Sequence, residues 1–198
     1  MPALVLASGS ATRAGMLRAA GVAIDIAAAA IDESELLQSF RREGAAPDRV
    51  AEALAELKAQ KVSARYPGRL VLGADQMLDC GGTWLEKPAD LAEARRHLLL
   101  LRGRRHRLVS SAVLVRDGVR LWHHTAAADL EMRAFSDAFL DAYLAAAGAA
   151  VLGAVGAYQL EGLGAQLFRR IDGDFFTVLG LPLLPVLDIL REQGMLQA

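Results

Sequence analysis

The sequence predicts an α/β fold, and three observations support this class. Strand and helix patterns alternate along the chain, and no linker interrupts them that is long enough to separate independent domains. The first apolar run, at residues 3–7, has the pattern of a strand buried on both faces. With 198 residues the chain can bury a substantial core, so we expect a single domain over residues 1–198, built as one body or as two closely fused lobes.

The first half of the chain contains the clearest helix pattern. At residues 47–67, Val50, Leu54 and Leu57 recur at helical spacing and predict a buried stripe. The elements predicted for this half are a strand at 3–7, a helix at 12–21, a strand at 22–28, the helix at 47–67 and a strand at 69–78.

The second half carries distinct cap and turn signals. Asp90 with Glu93 three residues later is typical of a capping box that opens a helix, and Asp117-Gly118 is a strong hairpin signal. The elements predicted here are a turn at 79–82, a helix at 90–103, two long strands within 106–132, a helix from 136 to 148, a glycine-rich loop from 156, a hairpin turning at 172–174 and a closing helix.

Composition excludes several classes of function. A formal net charge of -1 leaves no electrostatic footprint for duplex DNA or an anionic membrane, so neither a nucleic-acid nor a membrane partner is expected. The most apolar tract, residues 177–190, is too short and too interrupted by proline to span a bilayer. The start of the chain has no basic segment of the signal-peptide type, and the single cysteine favours a reducing compartment. A cytoplasmic location follows as the expectation.

The histidines and the cysteine are not expected to carry chemistry. His97, His106, His123 and His124 lack metal-ligand spacing on a predicted helix, so we interpret them as surface or strand-edge residues. Cys80 falls in a predicted turn without a base nearby in sequence, which argues against a catalytic thiol.

The segment that follows the first strand is suited to an anion. Ser8, Gly9 and Ser10 lead into a helix, so backbone N–H groups and the positive end of the helix dipole meet at one point. Arg13 in the first turn would add a phosphate donor. The alternative is that Ser10 is only an N-cap and Arg13 a solvated charge, because neither a Walker lysine nor a GxGxxG spacing is present.

Two further polar positions stand out in apolar surroundings. Asp75 and Gln76 lie at the polar end of a predicted buried strand, where a carboxylate needs a partner, a metal or a catalytic role. Lys87 precedes a proline, so it is held extended close to a helix start, where it could reach a phosphate. A turn residue and an ordinary loop lysine remain the alternatives.

Read together, six separated motifs resemble the Maf family of nucleoside triphosphate pyrophosphatases. They are LASGSATRAGML, IDE at 31–33, LAELKA at 54–59, LGADQML, EKPAD and GAYQLEGLGAQLFRRIDGDFFTVLGLP at 156–182. The resemblance implies a bent mixed β-sheet flanked by helices, with two lobes around a central cleft, as in inosine triphosphate pyrophosphatase-like folds. It also implies hydrolysis of a nucleotide to its monophosphate and pyrophosphate with a divalent cation, Mg²⁺ or Mn²⁺.

The resemblance also assigns roles to residues of this chain. Asp75 matches the position that accepts a proton, and Glu33 and Asp75 match the metal-binding carboxylates. The positions that match substrate-binding residues are Ser8, Ser10, Arg13, Lys58 and Lys87. The positions that affect base choice are Thr12, Gln76 and Glu161. A triphosphate needs basic groups to offset its charge and a carboxylate to orient or deprotonate water, which agrees with these residue types.

Three departures from the family pattern keep alternatives open. Ala11 replaces the usual proline of the first loop, Thr12 stands where arginine is frequent, and Glu86 replaces a common glycine and adds negative charge before Lys87. One alternative is a Maf-like nucleotide-binding or regulatory protein with little catalysis. A dinucleotide-binding module is poorly supported, because the first loop lacks its glycines.

The residues of the specificity positions favour a modified purine. Gln76 and Glu161 resemble the branch that acts on 7-methyl-GTP, where a carboxylate accepts hydrogen bonds from the guanine edge. Thr12 does not match that branch, and a dTTP/UTP pyrophosphatase is the alternative. The nucleotide is the expected partner, and a homodimer is kept open.

Overall fold

The computed structural model describes residues 3–197 and confirms the α/β class. Its central sheet has seven strands in the order β2 (Ile24–Ile26), β1 (Leu4–Leu6), β3 (Val71–Cys80), β5 (Arg105–Arg116), β6 (Val119–Met132) and β7 (Phe168–Asp172), with β4 (Thr83–Leu85) paired to β3. The sheet is mixed, because β1 pairs in parallel with β2 and β3, whereas β4 pairs antiparallel with β3 and β7 antiparallel with β6. No helix within residues 3–197 has the length and apolar character needed to cross a membrane.

Residues 3–197 form seven strands, seven α-helices and three 3₁₀ helices. The strands are β1 Leu4–Leu6, β2 Ile24–Ile26, β3 Val71–Cys80, β4 Thr83–Leu85, β5 Arg105–Arg116, β6 Val119–Met132 and β7 Phe168–Asp172. The α-helices are α1 Ala11–Ala19, α2 Ser34–Arg42, α3 Pro47–Ser63, α4 Leu91–Leu101, α5 Asp137–Ala147, α6 Phe175–Val178 and α7 Leu183–Glu192. Three 3₁₀ helices lie between α5 and β7, at Gly148–Gly153, Val155–Ala157 and Leu163–Leu167.

The chain divides into two compact units that share strands β3, β5 and β6. The first unit combines the segment up to Gln76, Val109–Ala126 and the segment from Gly180 onward. In its core, α3 packs on β1, β3 and β5 through small and β-branched side chains. Gly73 of β3 lies so close to α3 that an added Cβ would stand 2.0 Å from the backbone oxygen of Ala55. This contact draws α3 close to the middle of the sheet.

The second unit combines Met77–Leu108 and Ala127–Leu179. Its core joins leucines of α4 and α5 to the inward face of the strands and to the loop that contains the 3₁₀ helices. Tyr158 is fully enclosed in that core and packs edge-on against Phe168, with ring centroids 4.8 Å apart. The glycine-rich loop is therefore anchored through an aromatic side chain.

The predicted caps and the central hairpin are confirmed. The Asp90 side chain accepts a hydrogen bond from the Glu93 backbone N–H at 2.7 Å, and Glu93 in turn accepts from the backbone N–H of Ala89. Asp117 and Gly118 both have positive φ, as a tight turn between antiparallel strands requires.

Four details of the sequence prediction are wrong. Leu57 is 36% exposed, because the stripe that α3 buries continues from Leu54 through small residues rather than through Leu57. In the described chain no second strand follows β7. Instead, Asp174 accepts hydrogen bonds from two backbone N–H groups and opens the short helix α6. Helix α2 was not predicted, although Leu37 and Phe40 give it an apolar face. Cys80 ends strand β3, buried, rather than lying in a turn.

Candidate active site

The candidate site of the first unit lies where strand β1 ends. Leu6 of β1 pairs with Leu72 of β3, so β3 runs on past the end of its neighbour. Ser8 follows β1 directly, and Asp75 lies in the middle of β3 rather than at its end. Polar side chains therefore meet at the carboxyl end of a parallel strand, the position at which ligands bind in open α/β sheets.

Arg13 is fixed by three acceptors. Its Nε donates to the backbone oxygen of Gly180 at 2.7 Å, and its Nη1 donates to the backbone oxygen of Ala74 at 3.0 Å and to Ser8 Oγ at 3.1 Å. These bonds use three of the five guanidinium N–H donors and leave those of Nη2. Arg13 therefore presents a fixed charge with donors to spare, and is not a solvated surface arginine.

Two serines shape the loop before α1. Ser8 Oγ accepts from the Ser10 backbone N–H at 3.3 Å as well as from Arg13, so both of its lone pairs are used and its hydroxyl hydrogen is left to donate. Ser10 is the N-cap of α1 and accepts from the Arg13 backbone N–H at 3.3 Å. Ser10 thus caps α1 and places the helix N-terminus beside the Ser8 hydroxyl. A contact of Ser10 with the substrate stays a prediction.

Lys58 of α3 joins two carboxylates from separate segments. Its Nζ lies 2.6 Å from Asp75 Oδ1 and 2.9 Å from Glu33 Oε1. The side chains of Lys58 and Asp75 are only 14% and 11% exposed, while Glu33 is 34% exposed at the start of α2. In this structure Lys58 is therefore an ion-pair partner of both acidic residues.

Burial shifts the pKa values of Asp75 and Arg13. Burial raises the pKa of Asp75, and the nearby charges of Lys58 and Arg13 only partly offset this. Burial likewise lowers the pKa of the Arg13 guanidinium, against the opposing effect of Asp75 and Glu33. A carboxylate with a raised pKa is a stronger base than an exposed aspartate, as a proton acceptor requires.

Sequence reasoning missed two residues of this cluster. Ser110 of β5 is fully buried, and its Oγ accepts from Gln76 Nε2 at 3.0 Å. Gly180 supplies the acceptor for Arg13 and has φ of +100°, where an added Cβ would meet Gln76 and Arg13 at about 3.4 to 3.5 Å. A polar residue in an apolar strand could have signalled Ser110, but nothing local in the sequence signals the contact of Gly180.

The remaining predicted site residues are placed as follows. Thr12 is the second residue of α1 and half-buried. Lys87 lies in the second unit, exposed, in the loop between β4 and α4, with Glu86 exposed beside it. Glu161 is exposed in the second unit, between two 3₁₀ helices. No hydrogen bond from Glu161 to the rest of the described chain is found, so its side chain does not brace its own turn.

His106 differs from the other histidines. It is 3% exposed, and its Nε2 lies 2.8 Å from the hydroxyl oxygen of Tyr158. Burial lowers the pKa of His106 to about 4, so it is neutral at physiological pH. The prediction that His106 is a surface or strand-edge residue is therefore wrong as to its exposure.

Within residues 3–197 no group of three or more His, Cys, Asp or Glu side chains is arranged to hold a metal ion.

This chain is similar to a known protein family over nearly all of its length. A family model described as "Maf-like protein" matches residues 3–193. This chain belongs to the Maf family. The resemblance predicted from six motifs is confirmed, since the match extends through both compact units of this Maf protein.

Curated relatives of this Maf protein match it over nearly their full length. A protein of Paramagnetospirillum magneticum named "Nucleoside triphosphate pyrophosphatase" is 60% identical, over 96% of this chain and 98% of its own. Proteins named "7-methyl-GTP pyrophosphatase" from Mesorhizobium japonicum and Rhizobium meliloti are 51% and 49% identical, over 96% and 100% of this chain and 96% and 99% of their own.

Among solved structures, the nucleoside-triphosphatase / dITP/XTP pyrophosphatase of Mycobacterium abscessus is 14% identical to this Maf protein. The match covers 98% of this chain and 96% of that protein, with a TM-score of 0.46.

Proposed function

We propose that this Maf protein hydrolyses a nucleoside triphosphate to the nucleoside monophosphate and pyrophosphate, as the names of its curated relatives indicate. It is then a hydrolase of the nucleoside triphosphate pyrophosphatase class. The observation that carries the proposal is the juxtaposition in one unit of a fixed arginine, a helix N-terminus and a buried Asp75 with its lysine. These are an anion site and a base next to each other.

The phosphates are held by the loop between β1 and α1. The unpaired donors of Arg13 Nη2, the hydroxyl hydrogen of Ser8 and the first backbone N–H groups of α1 all offer hydrogen bonds to anionic oxygens. Because Arg13 is already positioned by backbone acceptors, it contributes a preorganised charge to the developing transition state.

Asp75 acts as the general base in this proposal. Its carboxylate accepts a proton from the water that attacks the phosphate, and its raised pKa makes that transfer more favourable. Before the nucleotide binds, Lys58 holds this carboxylate in one orientation through the 2.6 Å contact. The P–O bond of the bridge between the α- and β-phosphates breaks, so that pyrophosphate separates from the nucleoside monophosphate. The basic side chains offset the negative charge of both products.

The carboxylates also fit the divalent cation that the family implies. Glu33 and Asp75 lie within reach of one common cation, as their shared contact with Lys58 demonstrates. Mg²⁺ is bound in proteins through one or two carboxylates completed by water and substrate phosphates, so this donor set is suitable. When bound, the ion would supply charge neutralisation on the phosphate oxygens and lower the pKa of the attacking water.

Pyrophosphate release tests the proposed function. The wild-type chain is incubated with a panel that includes 7-methyl-GTP, GTP, dTTP and UTP, with Mg²⁺ or Mn²⁺, and release is measured for each. We expect release from at least one nucleotide and none in the presence of excess chelator. If nucleotides bind but no member of the panel is hydrolysed, the catalytically weak binding protein is the better description.

Arg13→Ala should weaken all triphosphates alike. A charge-assisted contact to the phosphates contributes about 1.5 to 3 kcal/mol, so we expect a loss of affinity on the order of 10- to 100-fold for each nucleotide. Calorimetric binding with at least two purine and two pyrimidine nucleotides measures it. Arg18→Ala on the exposed face of the same helix is the control and should bind normally. A variant that changes base preference while keeping affinity would contradict the phosphate role.

The preferred substrate is a modified purine, with 7-methyl-GTP as the proposed example. Glu161 carries an exposed carboxylate with no hydrogen-bond partner in the described chain, so it is available to accept from the N1–H and N2–H edge of guanine. Two relatives named for 7-methyl-GTP, at 51% and 49% identity, are in line with this choice. The dTTP/UTP alternative is less favoured. The carbonyl-rich edge of thymine or uracil would place hydrogen-bond acceptors against the Glu161 carboxylate, which is itself an acceptor.

Glu161→Gln should shift base preference. The amide supplies a donor and removes the charge, so relative kcat/KM is expected to move towards dTTP and UTP and away from 7-methyl-GTP. Competition assays between purine and pyrimidine nucleotides measure the ratio directly. Glu192→Gln, also exposed, is the matched control. An unchanged ratio would remove the main support for the purine assignment and leave the hydrolase proposal untouched.

Three expectations stay predictions. A role for Lys87 in binding phosphate awaits its own substitution. The cytoplasmic location and the homodimer likewise stay predictions.

We infer that both units belong to one Maf domain, because three strands contribute to both. Residues 1, 2 and 198 of the expected domain lie outside the described range.

A further inference from the structure

The bridging position of Lys58 is unusual for a residue expected to bind phosphate. Its ammonium lies within 2.9 Å of oxygens from both Asp75 and Glu33, and its side chain is 14% exposed. Within the described residues the Lys58 ammonium has no other hydrogen-bond acceptor. The positive charge of Lys58 is therefore paired with the same two carboxylates that would hold a divalent cation.

An ammonium and a divalent cation cannot share this place. Both are drawn to the same pair of carboxylate oxygens, and two positive charges a few ångströms apart repel strongly where water is largely excluded. The Asp75 carboxylate, which is 11% exposed, would in turn be costly to bury without any cation. Occupancy of the position between Glu33 and Asp75 is thus exclusive, with one cation or the other.

We propose that Lys58 is an internal counter-cation that holds the place of the divalent metal between Glu33 and Asp75 in the nucleotide-free protein and leaves it when metal and nucleotide bind. The inference rests on the metal-dependent function proposed above. The flexible four-carbon stem of lysine lets the ammonium change partners without movement of α3. The phosphates that arrive with the metal provide the new partner, so every charge remains paired in both states.

In this exchange Lys58 has two roles. It positions the carboxylates before the substrate binds, and it contacts the phosphates afterwards. Before binding, Lys58 keeps two carboxylates from repelling each other and fixes Asp75. After binding, the same charge is available to the phosphates. The exchange also makes tight metal binding conditional on the nucleotide, because the metal alone must displace an ammonium that has no other anion to contact.

Direct metal binding without nucleotide tests the proposal. Mn²⁺ binding to the full chain is measured by electron paramagnetic resonance of the free ion for wild type, Lys58→Met and Lys61→Met. Lys61 lies one turn further along α3, exposed and bonded to a backbone oxygen, so it is the matched control. We expect Lys58→Met to bind Mn²⁺ at least tenfold more tightly than wild type, and Lys61→Met to match wild type.

A second substitution shows whether the gain arises at the two carboxylates. Adding Glu33→Gln to Lys58→Met is expected to abolish the increase. If Lys58→Met binds Mn²⁺ no more tightly than wild type, or if the increase survives the loss of Glu33, the proposal is wrong.

A measurement on the wild-type chain covers the case in which Lys58→Met does not fold. The ¹⁵N resonance of the Lys58 ammonium, assigned by its loss in Lys58→Arg, is followed during titration with Mg²⁺ and a nucleotide. We expect it to shift and exchange faster with solvent, while the Lys61 signal stays in place. An unchanged Lys58 signal at saturation would overturn the proposal. Neither measurement requires turnover, so a failure here is distinct from a failure to release pyrophosphate.

Discussion

Asp75→Asn is expected to lower kcat for pyrophosphate release by on the order of 10²-fold or more, with nucleotide binding in the absence of a divalent cation retained. The amide has nearly the same shape and can still accept a hydrogen bond from Lys58, but it cannot take a proton from water. Because burial raises the pKa of Asp75, the neutral amide also removes a charge that is unfavourable in this site, so the fold is expected to be kept. Steady-state release and calorimetric nucleotide binding measure the two quantities separately.

Asp79→Asn provides the control for Asp75. Asp79 lies in the same strand, but its carboxylate accepts a hydrogen bond from the Gly82 backbone N–H in the turn after β3. Its variant is expected to keep kcat. If Asp75→Asn stays within about threefold of wild type, the base must be another group; if it loses nucleotide binding as well, Asp75 serves binding rather than proton transfer.

Gly73→Ala is expected to destabilise the protein by about 3 kcal/mol, at the upper end of the range for overpacked cores. The new Cβ would stand 2.0 Å from the Ala55 backbone oxygen and 2.9 Å from backbone and side-chain atoms of Ala59. These are atoms of helix α3 that no side-chain rotation can move, so the helix must shift from the sheet. For a chain of this length we expect a fall in Tm of roughly 6 to 12 °C, together with a lower urea midpoint.

Gly15→Ala separates this contact from a general effect of removing glycine. No atom lies within 4 Å of a Cβ built at Gly15, which is exposed in helix α1. Alanine favours a helix interior over glycine by about 1 kcal/mol, so this variant is expected to be as stable as wild type or more so. A Gly73→Ala protein with an unchanged urea midpoint would show that α3 does not approach β3 this closely in solution.

The local features of this protein, its caps and turns, could be predicted from the sequence. The Asp90 cap and the Asp117-Gly118 turn were readable because each depends on torsion angles and hydrogen bonds among neighbouring residues. Helix α6 shows the limit of such signals. The DGD sequence fits both a hairpin and a helix start, and the Asp174 side chain, which accepts from two backbone N–H groups, decides for the helix.

The candidate site divides in the same way. Ser8, Ser10 and Arg13 could be singled out as a loop before a helix, since they are close in sequence. The pairing of Lys58 with both Glu33 and Asp75 could not be predicted, because it joins three segments. The sequence predicts that Lys58 binds phosphate, but it does not indicate which charged side chains lie next to Lys58 in the folded protein.

By itself, then, the sequence determined the alternation of strands and helices, their caps and the family motifs, all of which arise from interactions over a few residues. Only the tertiary structure decided the partners of the buried charges. The Gly180 oxygen that fixes Arg13 lies 167 residues away, and His106 is neutral because Tyr158 and the core enclose it. Both outcomes depend on which surfaces pack together, since burial makes an unpaired charge costly and only packing brings distant partners within hydrogen-bond distance.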